Sequence, residues 1–491
     1  MLTGEDDNEP GNEPDAKSDD ASSSSGAAQP ARLVVVSNRV GPLKDEGRAG
    51  GLAVGLADAL RRRGGLWFGW SGETSPEGTS GPEKTEIHGQ TALTTIDLSE
   101  EDLEGFYYGY ANRSLWPLLH YRLDLATFDR QSDRIYRSVN QRFAARLSPL
   151  IDDGDIVWVH DYHFFYLGSE LRQCGFKGRL GFFLHIPFCP PDILTALPSS
   201  HDLVRAMLAY DLVGFQTESD RRNFVAFCVQ ELDGVEGADG TVSVAGRSVR
   251  AAVFPIGIDA ESFRRFAVSP EAGEHEEMLR NIARDRLQIV GVDRMDYSKG
   301  LVQRLQGFER LLEDYPENRG AVQLLQIAPL SRAELGPYVD LREELEGLAG
   351  RLNGRFAMLD WTPVQIMTRG FSRRALAGIY RAARVCMVTP LRDGMNLVAK
   401  EYVAAQDPDD PGVLILSRFA GARAELGDAL IVNPYAIDDI ARALQRALTM
   451  PLEERQRRYE SMQAAVFTGT AARWCDSFLA KLDESAPQAV V

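Results

Sequence analysis

The sequence predicts an α/β protein made of two doubly wound halves that face each other across a cleft. Three observations predict it. Its 491 residues exceed one ordinary domain and suit two or three. Short, continuous, β-branched apolar runs alternate with amphipathic helical stretches along nearly the whole chain, the pattern of parallel sheets covered on both faces. A break near Pro255–Ser262 (PIGIDAES) divides that pattern in two, because it is too long for one sheet.

Taken in order, residues 1–30 carry eight acids (Glu5, Asp6, Asp7, Glu9, Glu13, Asp15, Asp19 and Asp20) against one base, Lys17, and include the run Ser22–Ser25. This composition predicts a disordered acidic tail with a solubilising or spacer role. It has neither a basic start nor an apolar stretch, so it is not a secretory signal. Ordered structure is expected from Arg32. Buried strands are expected at Leu33–Ser37, Ile156–His160, Gly181–His185, Asp211–Phe215, Val253–Ile256, Leu287–Val292, Val322–Ile327, Val385–Val388 and Val413–Leu416. Helices are expected at Leu52–Arg62, Ser219–Leu232, Leu301–Glu313 and Tyr338–Ala349, with a last helical stretch over about Leu452–Leu482 that packs back on the first half. The expected division is 1–30 tail, 31–255 first domain, 256–452 second domain and 453–485 returning helix.

Composition narrows the function. With 44% apolar and 25% charged residues the chain builds ordinary cores. A formal charge of −17 disfavours non-specific binding to nucleic acid or anionic membrane, while leaving room for a local basic pocket that takes a phosphorylated small molecule. No run approaches the roughly 18 apolar residues that span a bilayer. The five cysteines, Cys174, Cys189, Cys228, Cys386 and Cys475, contain no C-x-x-C pair, so reduced thiols in a cytoplasm are expected.

Four motifs carry chemistry. Arg48-Ala-Gly-Gly-Leu-Ala-Val-Gly55 follows the first strand, and its glycines let backbone amides approach an anion at a helix start. It is neither G-x-G-x-x-G nor a P-loop, which discounts a nicotinamide cofactor and a P-loop nucleotidase; alone it reads equally as a tight turn. Val292-Asp-Arg-Met-Asp-Tyr-Ser-Lys-Gly300 places Arg294 and Lys299 at the C-terminal end of a strand, where two cations suit a diphosphate. Two solvated surface charges would look the same. In Val388-Thr-Pro-Leu-Arg-Asp-Gly-Met-Asn-Leu-Val-Ala-Lys-Glu401, a turn leads into a helix beginning near Met395; Asp393 can accept from sugar hydroxyls and Glu401 can reach a ribose diol. The fourth set is Asn38-Arg39, Tyr107, Trp116, His160-Asp161-Tyr162-His163 and His185-Ile-Pro-Phe188, with Asp161 and His185 at strand ends. Histidines three apart can hold a metal, but strand-end histidines are more often hydrogen-bonded to substrate or core. No G-x-S-x-G elbow occurs, which disfavours a serine hydrolase.

Together these motifs resemble one family, the trehalose-6-phosphate synthases, retaining glycosyltransferases of the GT-B fold with two Rossmann-like domains. The resemblance is carried by RLVVVSNRV, GGLAVGLADAL, GGLWFGWSGE, LWPLLHYRLDL, VWVHDYH, GFFLHIPF, DLVGFQTESDR, FPIGID, VDRMDYSKG, VTPLRDGMNLVAKEYVAAQ, LSRFAGARAEL and ALIVNPY, in order from Arg32 to about Met450. It implies transfer of glucose from UDP-glucose to the anomeric hydroxyl of glucose 6-phosphate, giving α,α-trehalose 6-phosphate.

By matching motif, the resemblance implies that Arg294 and Lys299 bind the donor diphosphate, with Gly50 and Gly51 approaching from the other domain. Phe371 falls at the nucleotide pocket. Asp393, Gly394, Met395, Asn396 and Leu397 hold glucose and phosphate, and Glu401 holds the ribose. Arg39, Tyr107, Asp161 and Arg332 hold the acceptor, with both arginines on its phosphate. His185 touches the donor sugar, and Trp116 and Ile186 select the α anomer. Arg294, Lys299, Asp161 and His185 form the catalytic set, and no metal or other cofactor is implied, because the cations replace a divalent ion. The family's same-face route lets the leaving phosphate accept the acceptor's proton, so no general base is named.

Departures are few: Cys189 follows HIPF where Pro is usual, Ala333 follows Arg332 where Gly is common, and Phe164-Phe165 follow HDYH where Leu-Leu is common. No phosphatase motif D-x-D-x-[TV] is present, so a separate phosphatase is expected downstream, and the resemblance implies a homodimer or homotetramer. Two alternatives stay open: a sister synthase acting on glycerol 3-phosphate, and an inactive sugar-phosphate sensor. The intact Arg294, Lys299, Asp393 and Glu401 argue against the sensor.

Overall fold

The structure, a computed structural model, describes residues 31–41, 51–75, 83–284, 286–332 and 334–485. The acidic segment 1–30, Gly50 and Ala333 lie outside the described residues.

Ten strands form the first sheet: β1 (Leu33–Arg39), β2 (Gly65–Ser75), β3 (Lys84–His88), β4 (Thr91–Ser99), β5 (Ile156–His160), β6 (Arg179–Phe183), β7 (Leu212–Phe215), β8 (Val235–Glu236), β9 (Thr241–Val244) and β10 (Arg247–Val253). Their order is β3-β4-β2-β1-β5-β6-β7-β10-β9-β8. The run from β4 to β10 is parallel, and antiparallel strands close both edges. The second sheet has six strands, β11 (Leu287–Val292), β12 (Val322–Ile327), β13 (Val364–Met367), β14 (Val385–Val388), β15 (Val413–Ser417) and β16 (Leu430–Val432), in the order β13-β12-β11-β14-β15-β16. All its pairings are parallel. Strand composition explains the central positions: Val34, Val35 and Val36 of β1 are fully buried, as only an apolar run under helices on both faces can be.

The chain enters each sheet in the middle, winds to one edge and then crosses back. The order reverses between β1 and β5 in the first sheet, and between β11 and β14 in the second. A doubly wound sheet opens a crevice beyond the carboxyl ends of its strands at such a point. All four strands end in motifs singled out from the sequence.

Several expectations are corrected. β10 ends at Val253, so Val253–Ile256 is not a strand; the segment leaves the sheet, and the Ile256 amide donates to Gln216 Oε1 at 3.0 Å. β6 ends at Phe183, placing His185 in the following loop. The helix expected from Met395 begins at Leu397, because Asn396 caps it by accepting from the Ala399 amide. The last helical stretch is two helices, Leu452–Thr468 and Ala471–Asp483. They part where Thr470 pairs with Ile258 and Gly257 packs on the Gly469 carbonyl. The final helix does lie on the first sheet, with Phe478 stacked 4.5 Å from Trp158 and the bare Gly181 and Gly214 beneath Phe478. No helix among the described residues is long and apolar enough to cross a membrane. No disulfide joins the five cysteines.

Candidate active site between the two sheets

The second sheet supplies cations held by buried carboxylates. Beneath the switch point, fully buried Arg304 donates to Thr389 Oγ1 (3.0 Å), Gln326 Oε1 (2.9 Å) and Asp293 Oδ2 (2.7 Å), tying β11, β12 and β14 together. After β11 the chain makes a short 3₁₀ turn, Tyr297–Lys299, and Gly300 stands in the left-handed region at φ 65°. A Cβ there would lie 2.1 Å from the Thr389 carbonyl oxygen, so glycine alone permits this turn. Lys299, nearly buried, donates to Asp393 Oδ2 at 2.6 Å, and Asn396 Nδ2 donates to the same oxygen at 3.1 Å. Burial works to raise the Asp393 carboxyl, but the Lys299 ammonium outweighs it and holds the group below the ordinary carboxylate range. Arg294 is exposed, 5.7 Å from the Trp116 ring.

Arg294, Lys299, Phe371, Asp393, Met395, Asn396, Leu397, Glu401 and His185 line one cavity of about 380 Å³. Glu401 accepts from Tyr380 at 3.4 Å, and burial lifts its carboxyl against the pull of Arg373. The Phe371 ring meets His275 edge-on and lies under the Arg369 guanidinium. Gly51 opens the helix Gly51–Arg63 that follows β1.

The first sheet supplies aromatic rings and an irregular backbone. Leu103–Leu115 is a π-helix, closed by the i→i+5 bond from the Trp116 amide to the Ala111 carbonyl. It presents Tyr107, whose ring stacks on His163 (6.0 Å, 9°) and packs by Trp70. Arg39, at the end of β1, lies 4.8 Å above Trp70 and donates to the Gly72 carbonyl. Directly after β5, Asp161 takes a left-handed φ of 74°, uncommon outside glycine, and its Oδ1 accepts from the His185 amide at 3.3 Å. Burial pushes the Asp161 carboxyl up to about 6, against the Tyr162 and His185 amides and the Arg332 and Arg294 guanidiniums. His185 Nε2 lies 3.1 Å from His160 Nδ1, and burial lowers His185 to about 3, so both rings are neutral at physiological pH. His160 therefore faces His185 while His163 faces Tyr107 and Tyr162. Among the described residues no group of three side chains is disposed to hold a metal ion.

The two crevices meet. A Cβ on Gly394 would stand 2.2 Å from the His185 carbonyl oxygen and 3.0 Å from Ile186 Cα, so the turn after β14 abuts the loop after β6 backbone to backbone. Arg332 crosses the cleft: NH2 donates to Tyr162 Oη at 3.0 Å, and its guanidinium lies 4.1 Å over the Trp116 ring. Arg294, Lys299 and His185 thus share the cavity, Asp161 is tied to it through the His185 amide, and Trp116 lies beneath the Arg332 and Arg294 guanidiniums.

Residues 32–484 match the profile of Glycosyltransferase family 20. The chain belongs to that family. It is 47% identical over 458 residues to the trehalose-6-phosphate synthase of Sinorhizobium fredii, covering 92% of this chain and 98% of that protein. An α,α-trehalose-phosphate synthase (UDP-forming) from Burkholderia xenovorans, solved in complex with glucose-6-phosphate, superposes with a TM-score of 0.89 at 47% identity, over 92% of this chain and 100% of that one. An E. coli structure bound with UDP-2-fluoro glucose superposes with a TM-score of 0.90 at 45% identity, over 93% and 100%. The fold is therefore GT-B, as the resemblance to trehalose-6-phosphate synthases implied.

Sequence reasoning missed Asp296, Tyr338, Arg304 and Asn112, whose Oδ1 accepts from Tyr162 Oη at 3.0 Å. Asp296 stands inside VDRMDYSKG between the two cations, which was a signal in plain view. In sequence Tyr162 stands out only as a member of HDYH. Arg304 sits in an amphipathic helix, where an arginine ordinarily reads as solvated.

Proposed function

We propose that this chain transfers glucose from UDP-glucose to glucose 6-phosphate with retention, forming α,α-trehalose 6-phosphate and UDP. The observation that carries the reading is the meeting of the two switch points: cations at the end of β11 stand across the Gly394–His185 contact from Asp161, and Arg332 reaches over from beyond β12 to Tyr162.

The donor diphosphate lies on Arg294 and Lys299. An ammonium has three hydrogens, and Asp393 uses one of Lys299's, so two remain for phosphate oxygens. Charge grows on the diphosphate as the C1–O bond breaks, and cations already fixed there stabilise the transition state more than the ground state. Gly50, Gly51 and Gly394 to Leu397 approach donor phosphate and glucose through backbone amides, Phe371 and Glu401 serve the nucleoside, and His185, neutral, hydrogen-bonds the donor sugar. On the acceptor side Arg39, Tyr107 and Arg332 take the phosphate end. Trp116 and Ile186 shape the pocket for the α anomer, and ionised Asp161 orients the acceptor. The acceptor's anomeric oxygen bonds to C1 on the face the leaving group vacates, and its proton passes to the departing phosphate oxygen. Closing of the two halves on the substrates would exclude water that would hydrolyse the donor. Residues 31–255 act as the acceptor domain and 256–452 as the donor domain. A phosphatase on another chain would consume the product.

UDP release by the purified chain, with glucose 6-phosphate present or absent and glycerol 3-phosphate as control, tests this. Release that depends on glucose 6-phosphate, with a non-reducing disaccharide phosphate formed, supports it. Release with glycerol 3-phosphate alone refutes it. Turnover unchanged by EDTA is expected if Arg294 and Lys299 carry the leaving-group charge.

A further inference from the structure

We propose that Asp296 is a positioning residue that couples the two substrate sites, giving one carboxylate oxygen to each. The inference rests on the reading of Arg332 as an acceptor-phosphate clamp.

Asp296 is fully buried, so it reaches either substrate only through other groups. Its Oδ1 accepts from the Ser298 amide at 2.9 Å and closes the turn that aims Lys299 into the donor cavity. Its Oδ2 accepts from Arg332 NH1 (3.4 Å) and from Tyr338 Oη (3.3 Å), and Tyr338 Oη accepts from the same NH1 at 2.6 Å. A buried carboxylate is costly unless paired. Here the Arg332, Arg294 and Lys299 charges outweigh burial and hold the acid down to about 2.

The donor count shows what this does for Arg332. A guanidinium has five N–H donors. NH1 spends its two on Asp296 and Tyr338, and NH2 spends one on Tyr162. The remaining Nε–H and second NH2 hydrogen form the side-on fork that binds phosphate through two parallel bonds. The backbone at Arg332 is left-handed, φ 51°, and these contacts hold it there. A diphosphate that settles the Arg294–Lys299 turn therefore also settles Asp296, and with it the fork. Linkage makes the effect reciprocal.

Asp296→Asn is the test. The amide oxygen still accepts from Ser298, while its NH2 replaces Oδ2 and faces two donors. KM for glucose 6-phosphate should rise about tenfold or more while KM for UDP-glucose moves less than about threefold. Tyr338→Phe, which keeps the ring packing, should shift the same acceptor KM in the same direction and leave the donor KM alone. By calorimetry UDP should tighten glucose 6-phosphate binding about fivefold or more in the native chain, and Asp296→Asn should abolish that gain. An equal rise in both KM values, or a UDP effect that is absent from the native chain or survives Asp296→Asn, would overturn the proposal. Arg332→Ala is the control: an unchanged acceptor KM there refutes the clamp itself. A raised one, with Asp296→Asn and Tyr338→Phe silent, refutes only the coupling.

Discussion

The two switch points solve the same problem with different materials. Beyond β11 and β14, charge is held by charge: Lys299 by Asp393, Arg304 by Asp293, Arg332 by Asp296. Beyond β1 and β5, shape is held by backbone and rings: the left-handed Asp161, the π-helix under Tyr107, and the stack of Tyr107 on His163. The contrast follows from what each must do. On the proposed reading a departing diphosphate is stabilised by fixed cations, whereas the acceptor's sugar is selected by contour and only its phosphate by Arg39 and Arg332. Donor-side changes should therefore strike stability and turnover, and acceptor-side changes should strike acceptor affinity and pH response.

The largest break in that contrast is Arg304→Met. It leaves Asp293 buried without its partner, and loss of about 3–5 kcal/mol in urea unfolding is expected. A loss below about 1 kcal/mol would show that the network does not hold the second sheet's centre. Next is Arg294→Ala. Its side chain is exposed, so the melting temperature should hardly move, while kcat should fall by about 10²–10³. Normal turnover in the folded variant would remove Arg294 from the chemistry. The smallest effect sharpens the acceptor side. Asp161 titrates near 6 when folded, above its ordinary value of about 3.9. Between those values the folded chain binds the proton first, so this group favours folding as pH falls from about 6 to about 4 and opposes it on the way back up. Acceptor orientation needs the ionised form, so kcat/KM for glucose 6-phosphate should fall below pH 6 in the native chain. Asp161→Asn should start lower and show a flatter acid limb; an unchanged limb would assign that titration elsewhere.

The donor side was the more legible in sequence because its motifs follow strands whose apolar runs announce themselves. Leu287–Val292, Val322–Ile327 and Val385–Val388 fall where the periodicity put them. The first sheet was read less completely. β2 is interrupted by Gly69 and Gly72, and β4 alternates Thr with apolar residues, so neither gives a continuous run. No propensity announces the π-helix, since its bonds follow from packing: Gly105 against Ile135 and Gly109 against Ser132. Individual site residues were found by motif, but what holds them was not. The ties from Asp296 to Arg332 and from Arg304 to Asp293 join positions that only the fold brings together.

The helix Leu103–Leu115 bears on how such an acceptor pocket changes over evolutionary time. Each of its bonds spans one residue more than an α-helical bond, so the segment carries a surplus of chain for its length. Deleting a single residue would take up part of that surplus and swing whatever lies beyond the deletion by roughly 100° about the axis. A deletion ahead of Tyr107 would carry its ring off His163 in one step, without any exchange of side chains. In this half of the molecule the seat of Tyr107 against His163 depends on the count of residues as much as on their kind.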